Sequence, residues 1–69
     1  MTDQERIKML RRHVDEARSE QAKIQAKMAN SALALDDPQM VAWRIRLEHW
    51  ERIERDYRAR LERLLQDRD

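Results

Sequence analysis

The chain lacks glycine, cysteine and phenylalanine altogether, and its 69 residues include a single proline. Without glycine we exclude phosphate-binding loops, dinucleotide fingerprints and nucleophile elbows, because their turns need backbone conformations that only glycine adopts easily. Without cysteine we exclude disulfide frameworks, zinc fingers and thiol nucleophiles. The length allows one small domain, residues 1–69.

Long apolar runs are also absent, and none approaches the roughly 20 residues of a membrane-spanning helix. The N-terminal segment MTDQERIKMLRR contains neither the apolar stretch nor the small-residue cleavage site of a secretory signal. We therefore expect a cytoplasmic protein with no membrane partner. Arginine, with 12 residues against 3 lysines, is typical of a GC-rich bacterial or phage genome.

Charge is abundant but has no dominant sign. Charged residues make up 42% of the chain, with 15 basic and 14 acidic side chains and a net charge of +1 at pH 7. A dedicated nucleic-acid-binding protein usually carries a clear positive excess. Domains below about 70–80 residues usually need disulfides, a metal or a partner chain for stability. Composition therefore favours an oligomer.

The first predicted helix begins at a capping box. Thr2 can accept a hydrogen bond from the helix N-terminus while Glu5 reaches back to it. Asn30 is the best candidate for a C-cap, but the alanines that follow can carry the helix to Leu33. The helix is therefore predicted over residues 3–33.

The second predicted helix follows a turn at residues 34–36. Asp36 is predicted to be its N-cap, and Pro38 lies in the first turn, where its missing N–H has no cost. Gln39 completes a second capping box. No helix-breaking residue follows, so the helix is predicted over residues 37–67.

Each predicted helix carries an apolar stripe with the alternating steps of three and four that are typical of coiled coils. In an antiparallel hairpin, the residue numbers of facing residues have a constant sum. Facing residues of the two stripes, from Ile7 with Leu64 to Met28 with Trp43, have residue numbers that add to 71. The hairpin is therefore centred between residues 35 and 36, within the predicted turn. The fold is therefore predicted to be an all-α antiparallel helical hairpin. Its core anchors are Leu10, Val14, Ile24, Met28, Trp43, Leu47, Trp50, Tyr57 and Leu61.

Two polar residues interrupt these stripes. In the predicted register Gln21 faces Trp50, and Glu54 faces Ala17. A polar residue at a core position can select register and partner number at some cost in stability. The alternative, which we favour from the sequence, is that Glu54 turns to solvent and Ile53 fills its place.

A second apolar stripe lies near the turn on each helix, and a hairpin alone needs only one. We interpret it as a surface through which two hairpins form a homodimeric four-helix bundle. The alternative is that alanines are simply good helix formers and that scattered exposed apolar residues are normal. The predicted oligomer interface consists of Ala22, Ala26, Ala29, Leu33, Val41 and Ile45.

Most charges on the second helix fall into acidic–basic pairs four residues apart, which stabilise a solvated helix face. These pairs are Glu48 with Arg52, Glu51 with Arg55, Glu54 with Arg58, and Asp56 with Arg60. A further basic cluster is predicted where the helix ends meet, and it is a candidate patch for an anionic partner. It consists of Arg6, Lys8, Arg11, Arg12 and Arg63.

Catalytic features are not visible in the sequence. His13 and His49 are predicted to lie far apart, and neither has a metal-ligand arrangement around it. Asp37-Pro38 before an amphipathic helix resembles the short hairpin phosphatases of response regulators, but Arg44 and Glu48 replace their Ser-x-x-x-Asp motif. We predict no catalytic residues, no metal site and no cofactor.

The sequence thus favours a non-catalytic, homo-oligomerising hairpin that acts as a small adaptor or regulator and binds another protein. The alternative is a dimeric helical bundle that binds RNA or DNA through the basic cluster. In shape such a dimer is similar to the small plasmid-encoded helical hairpins that bind paired RNA loops.

Overall fold

A computed structural model describes residues 2–66 as two helices, α1 (Asp3–Ala29) and α2 (Pro38–Gln66). The helices pack against each other in antiparallel order over a body of 50 × 16 × 14 Å. The prediction of an all-α helical hairpin is therefore confirmed. The predicted end of the second helix at residue 67 lies outside the described residues.

Helix α1 begins where the sequence predicts but ends earlier than predicted. The Thr2 hydroxyl accepts a hydrogen bond from the Glu5 N–H at 3.2 Å, and Asp3 and Glu5 occupy the first turn, where the helix dipole favours negative charge. The helix ends at Ala29 with Asn30 as its C-cap, four residues before the predicted Leu33. The Ser31 hydroxyl accepts a hydrogen bond from the Leu33 N–H at 3.0 Å, and this local bond competes with continuation of the helix.

The start of α2 corrects the predicted N-cap by one residue. The Asp37 carboxylate accepts a hydrogen bond from the Gln39 N–H at 2.9 Å, and the Asp37 carbonyl accepts the first helical bond from Val41. Asp37, rather than Asp36, therefore caps α2. Pro38 occupies the first helical position because its fixed φ suits the helix and no N–H is needed there.

This assignment makes a testable prediction about the turn. Replacing Asp37 with alanine removes the cap and should lower the free energy of unfolding by about 0.5–2 kcal/mol. The matched control Asp36→Ala should change stability by less than about 0.5 kcal/mol. Urea unfolding followed by circular dichroism measures both variants, and a larger loss for Asp36→Ala would contradict the assignment.

The hydrophobic core is a single seam between the helices, and its burial is uneven. Ala17 is completely covered. The α2 aromatic residues Trp43, Trp50 and Tyr57 remain half-buried, because their large rings lie over smaller α1 side chains with no second layer above them. The buried hydrophobic side chains of the described chain are Ile7, Leu10, Val14, Ala17, Ile24 and Met40.

Contacts between the helices fit the predicted register. The Gln21 amide donates to the Trp50 carbonyl at 3.4 Å, and these two residue numbers add to 71. Nearer the chain ends, the His13 ring stacks on Tyr57 with 4.7 Å between ring centroids. The antiparallel pairing therefore extends from the centre of the hairpin toward the end at which the helix termini meet.

Candidate interaction surfaces

A polar layer crosses the centre of the seam and is centred on Glu54. The Gln21 amide donates to Glu54 Oε1 at 2.9 Å, and Arg58 Nη1 donates to Glu54 Oε2 at 3.1 Å. Arg18 Nε lies 3.7 Å from the same Oε2 atom. We call these four residues (Arg18, Gln21, Glu54 and Arg58) the polar layer. The Glu54 carboxylate is thus contacted by two side chains of α1, Gln21 and Arg18, and by Arg58 of its own helix.

The polar layer corrects the interpretation favoured from the sequence. The Glu54 side chain is only 15% exposed, so it does not turn to solvent. Ile53 is half-buried beside it rather than in its place. Sequence reasoning had marked Gln21 and Glu54 as irregular but missed Arg18. The sequence could have indicated Arg18, because it lies three residues before Gln21 and therefore beside it on the same helix surface.

Most predicted ion pairs along α2 do not form in the described part of the chain. Of the four predicted pairs, only Glu54 with Arg58 comes within 4.0 Å. On α1, Lys23 instead pairs with Glu20 at 3.3 Å. Exposed charges gain little from such contacts, so their side chains extend freely into water.

The six residues of the predicted oligomer interface are all exposed in the single hairpin. Leu33 and Val41 are exposed by 39% each and Ile45 by 61%, and the neighbouring Leu35 reaches 75%. Ala22, Ala26 and Ala29 are exposed as well. The turn end of the hairpin therefore presents these apolar side chains to water.

These residues lie on two faces rather than one. Ala22 follows Arg18 by one helical turn and continues the α1 flank on which the polar layer opens to solvent. We call Ala22, Ala26 and Ala29 the alanine face. Val41 lies nine residues before Trp50, which at about 100° per residue turns it away from α1. Ile45 follows Val41 by one helical turn, and we call these two exposed residues the outer face of α2. The turn end therefore offers an alanine face on α1 and a separate outer face on α2.

The basic cluster predicted at the open end is exposed but not contiguous. Lys8 and Arg11 line one shallow depression with Leu65, and Lys8 and Arg12 line another with Met9. Arg6 and Arg63 come from other faces of the two helices. Among the described residues, none of the five cationic side chains of this cluster has a carboxylate within 4.0 Å.

Charge is distributed unevenly along the hairpin. The open end, residues 2–14 and 57–66, carries seven basic and three acidic side chains, a net charge of +4. The central part, residues 15–24 and 47–56, carries four basic and seven acidic side chains, a net charge of −3. A positive end therefore adjoins an acidic middle, although the whole chain is nearly neutral.

Few side chains in the described part of the chain are arranged in a way that could bind a metal ion or catalyse a reaction. Within residues 2–66, no group of three or more histidine, aspartate or glutamate side chains is arranged to hold a metal ion. His13 is stacked on Tyr57, and the Arg60 guanidinium lies 5.5 Å from the same ring. His49 makes an edge contact with Trp50. Both histidines thus act as packing groups on aromatic rings.

Comparisons with protein-family models, with curated proteins and with solved structures give no match for this chain. Neither helix of the described chain is both long and apolar enough to cross a membrane.

Proposed function

We propose that this hairpin is a non-catalytic protein that associates with itself and acts as a small adaptor or regulator of another protein. The observation that carries the proposal is the exposed apolar surface at the turn end. It includes four large side chains, Leu33, Leu35, Val41 and Ile45. Leu33 and Leu35 lie in the turn segment, and Val41 and Ile45 lie on the outer face of α2, so two neighbouring apolar surfaces are available for contact.

The shape of the single hairpin supports association. Its accessible surface is 5638 Å², whereas a folded monomer of 8.5 kDa typically exposes about 4,700 Å². Its radius of gyration is 15.6 Å, against about 11 Å for a compact domain of this length. The excess of roughly 1,000 Å² is similar to the roughly 800 Å² that each partner buries in a standard interface.

Two substitutions test self-association and identify the face that carries it. Ala26→Glu places a charge on the alanine face, and Ile45→Glu places one on the outer face of α2. We expect the parent protein to elute as an oligomer in size-exclusion chromatography with light scattering. Ala26→Glu should shift it to the 8.5 kDa monomer, because a carboxylate buried without a partner is costly.

The matched control is Ser19→Glu, which adds the same charge at an exposed α1 position outside the turn end. It should leave the mass unchanged. A parent protein that is a stable, fully helical monomer at all accessible concentrations would contradict self-association. A mass unchanged by Ala26→Glu but lowered by Ile45→Glu would move the interface to the outer face of α2.

A second candidate function is nucleic-acid binding, and the net charge of +4 at the open end favours it. Exposed cations bind phosphate by releasing counterions, so such binding weakens steeply as salt rises. A salt series with short RNA and DNA duplexes separates the two functions. No binding at low salt, or binding insensitive to salt, would remove this candidate.

A further inference from the structure

We propose that two copies of the chain exchange helices, so that α1 of each copy packs against α2 of the other in an exchanged dimer. The segment that opens is the connector, residues 30–37, between Ala29 and Pro38. A second copy of this chain occupies each opened seam through the contacts that the hairpin already shows. The inference goes beyond the proposed function, because it uses the seam rather than the alanine face or the outer face of α2.

The connector lacks the residues that usually reverse a chain after a helix. The sequence has no glycine, and none of the described residues has a positive φ angle. At its centre lie Ala32, Leu33, Ala34 and Leu35, and alanine and leucine are among the strongest helix formers. Residues 31–34 are nevertheless non-helical in the hairpin. Local preference therefore opposes the reversal, and a straightened connector that continues α1 removes this conflict.

Few contacts hold the connector in its reversed form. The N–H groups of Ser31 and Asp37 each donate to the carbonyl three residues earlier, at 3.3 and 3.1 Å, and Arg44 Nη2 donates to the Leu35 carbonyl at 3.3 Å. The Leu33 and Leu35 side chains are 39% and 75% exposed, so neither anchors the connector in the core. Neither Ser31 nor Asp37 is buried, so helical bonds or water replace their turn bonds when the connector opens.

Leu35 links the connector to the apolar stripe of α1. It lies seven residues after Met28, so a straightened α1 places it on the same stripe. In the hairpin it is the most exposed of the large apolar residues described. In the exchanged dimer the facing residue numbers of the two copies add to 71, so a two-fold axis passes between residues 35 and 36. The Leu35 side chains of both copies then lie beside this axis and cover each other.

Pro38 sets the limit of the straightening. The residue before a proline disfavours the helical conformation, so α1 extends no further than Asp36. Pro38 keeps its place at the start of α2, and a bend separates the two helices of one chain. The exchanged dimer therefore consists of two seams joined at the axis.

Exchange preserves the contacts of the seam and changes only which copy supplies each helix. The hydrogen bond of Gln21 to Glu54 at 2.9 Å and the stack of His13 on Tyr57 both form between copies. The connector and the protein concentration therefore decide the balance between the two forms. Short connectors under strain favour exchange. Because the seam must open first, exchange takes place while the chain folds at high concentration.

Cross-linking across the seam tests the exchange directly. Because the chain has no cysteine, His13→Cys with Tyr57→Cys places two thiols where the stacked rings lie 4.7 Å apart. The variant is refolded at low and at high concentration, diluted to one low concentration and treated with a short bismaleimide. The hairpin should give an 8.5 kDa chain linked within itself, and the exchanged dimer a covalent product of twice that mass. Denaturing mass spectrometry separates the two products.

The matched control is His13→Cys alone. Its two thiols lie roughly 70 Å apart in the exchanged dimer, at 1.5 Å per residue, so it should give no covalent dimer. A dimer docked through the alanine face or the outer face of α2 keeps each seam within one chain and links only within it. Such linkage alone, after refolding at high concentration, would overturn the exchange and leave the proposed function intact. A covalent dimer from the control would also overturn it, because random collisions would then explain the product.

Small-angle X-ray scattering measures the same form in the parent protein. At 1.5 Å per residue, the exchanged dimer should extend over roughly 95 Å, whereas the hairpin extends over 50 Å. A maximum dimension near that of the hairpin, after refolding at high concentration, would overturn the exchange even if the cysteine variant did not fold.

Two substitutions in the connector should change the fraction of exchanged dimer in opposite directions. Leu35→Ser removes the side chain that is covered at the axis and should lower the fraction by at least about threefold. Asp36→Asn should raise it by about twofold or more, because the axis brings the two Asp36 carboxylates together. The matched control Leu65→Ser should leave it unchanged, since Leu65 has the same neighbours in both forms. An exchanged fraction that Leu35→Ser does not lower would overturn the axis between residues 35 and 36, and the exchange with it.

Discussion

Replacing Leu10 with alanine should lower the free energy of unfolding by about 2–5 kcal/mol. Leu10 is 8% exposed and lies in the seam opposite Leu61, so the truncation leaves a cavity that the neighbouring helix fills only in part. A chain of this size has a total stability on the order of 3–10 kcal/mol. The substitution should therefore leave much of the protein unfolded at room temperature.

Leu65→Ala is the matched control, since it is the same substitution at the same end of the hairpin. Leu65 is 41% exposed, and its truncation should cost less than about 1 kcal/mol. Urea unfolding at one fixed protein concentration compares the two, because self-association would otherwise change the apparent stability. Equal losses in the two variants would show that the seam is not where the described hairpin is held together.

Replacing Gln21 with leucine should destabilise the protein by about 1–3 kcal/mol, although leucine is the more hydrophobic residue. The amide of Gln21 lies 2.9 Å from Glu54 Oε1, and its loss leaves a largely buried carboxylate oxygen against an apolar side chain. Gln25→Leu is the matched control at an exposed position of the same helix. It should change stability by less than about 0.5 kcal/mol.

The double variant Gln21→Leu, Glu54→Leu shows what the polar layer contributes beyond stability. Replacing a buried polar group together with its partner by apolar residues is often neutral or stabilising. We expect the double variant to recover the lost stability but to give more than one set of amide resonances, because the layer no longer specifies the register. A Gln21→Leu variant as stable as the parent would contradict the role of this hydrogen bond.

The polar layer also shapes the surfaces on which the functional proposals rest. It holds two half-exposed arginines on one flank of the hairpin, and the alanine face begins one turn further along that flank. Apolar contact is therefore favoured on one side of this boundary and solvation on the other. A residue that looks like a defect in the heptad pattern thus gathers two arginines at the edge of the exposed alanines.

Much of the fold follows from local patterns in the sequence. The helical spacing of apolar residues, the Thr2 cap and Pro38 predict two helices, and the constant residue-number sum predicts their antiparallel register. Periodicity carries this information because one face of each helix must be covered by the other. The ends of the helices were harder to predict, since they depend on local side-chain hydrogen bonds. Ser31 accepts from the Leu33 N–H after α1, and Asp37 accepts from the Gln39 N–H at the start of α2.

The sequence by itself determined that this chain forms two long helices with matching apolar stripes. It also determined that those stripes contain two polar residues and that charge is nearly balanced. Only the tertiary structure decided where Glu54 goes, because that depends on whether donors from both helices reach a single carboxylate. Helical spacing alone puts Ala22 one turn beyond Arg18, but only the tertiary structure shows that Arg18 belongs to the ion cluster around Glu54. Neighbours across a helix pair depend on three-dimensional packing, which spacing along one helix does not contain.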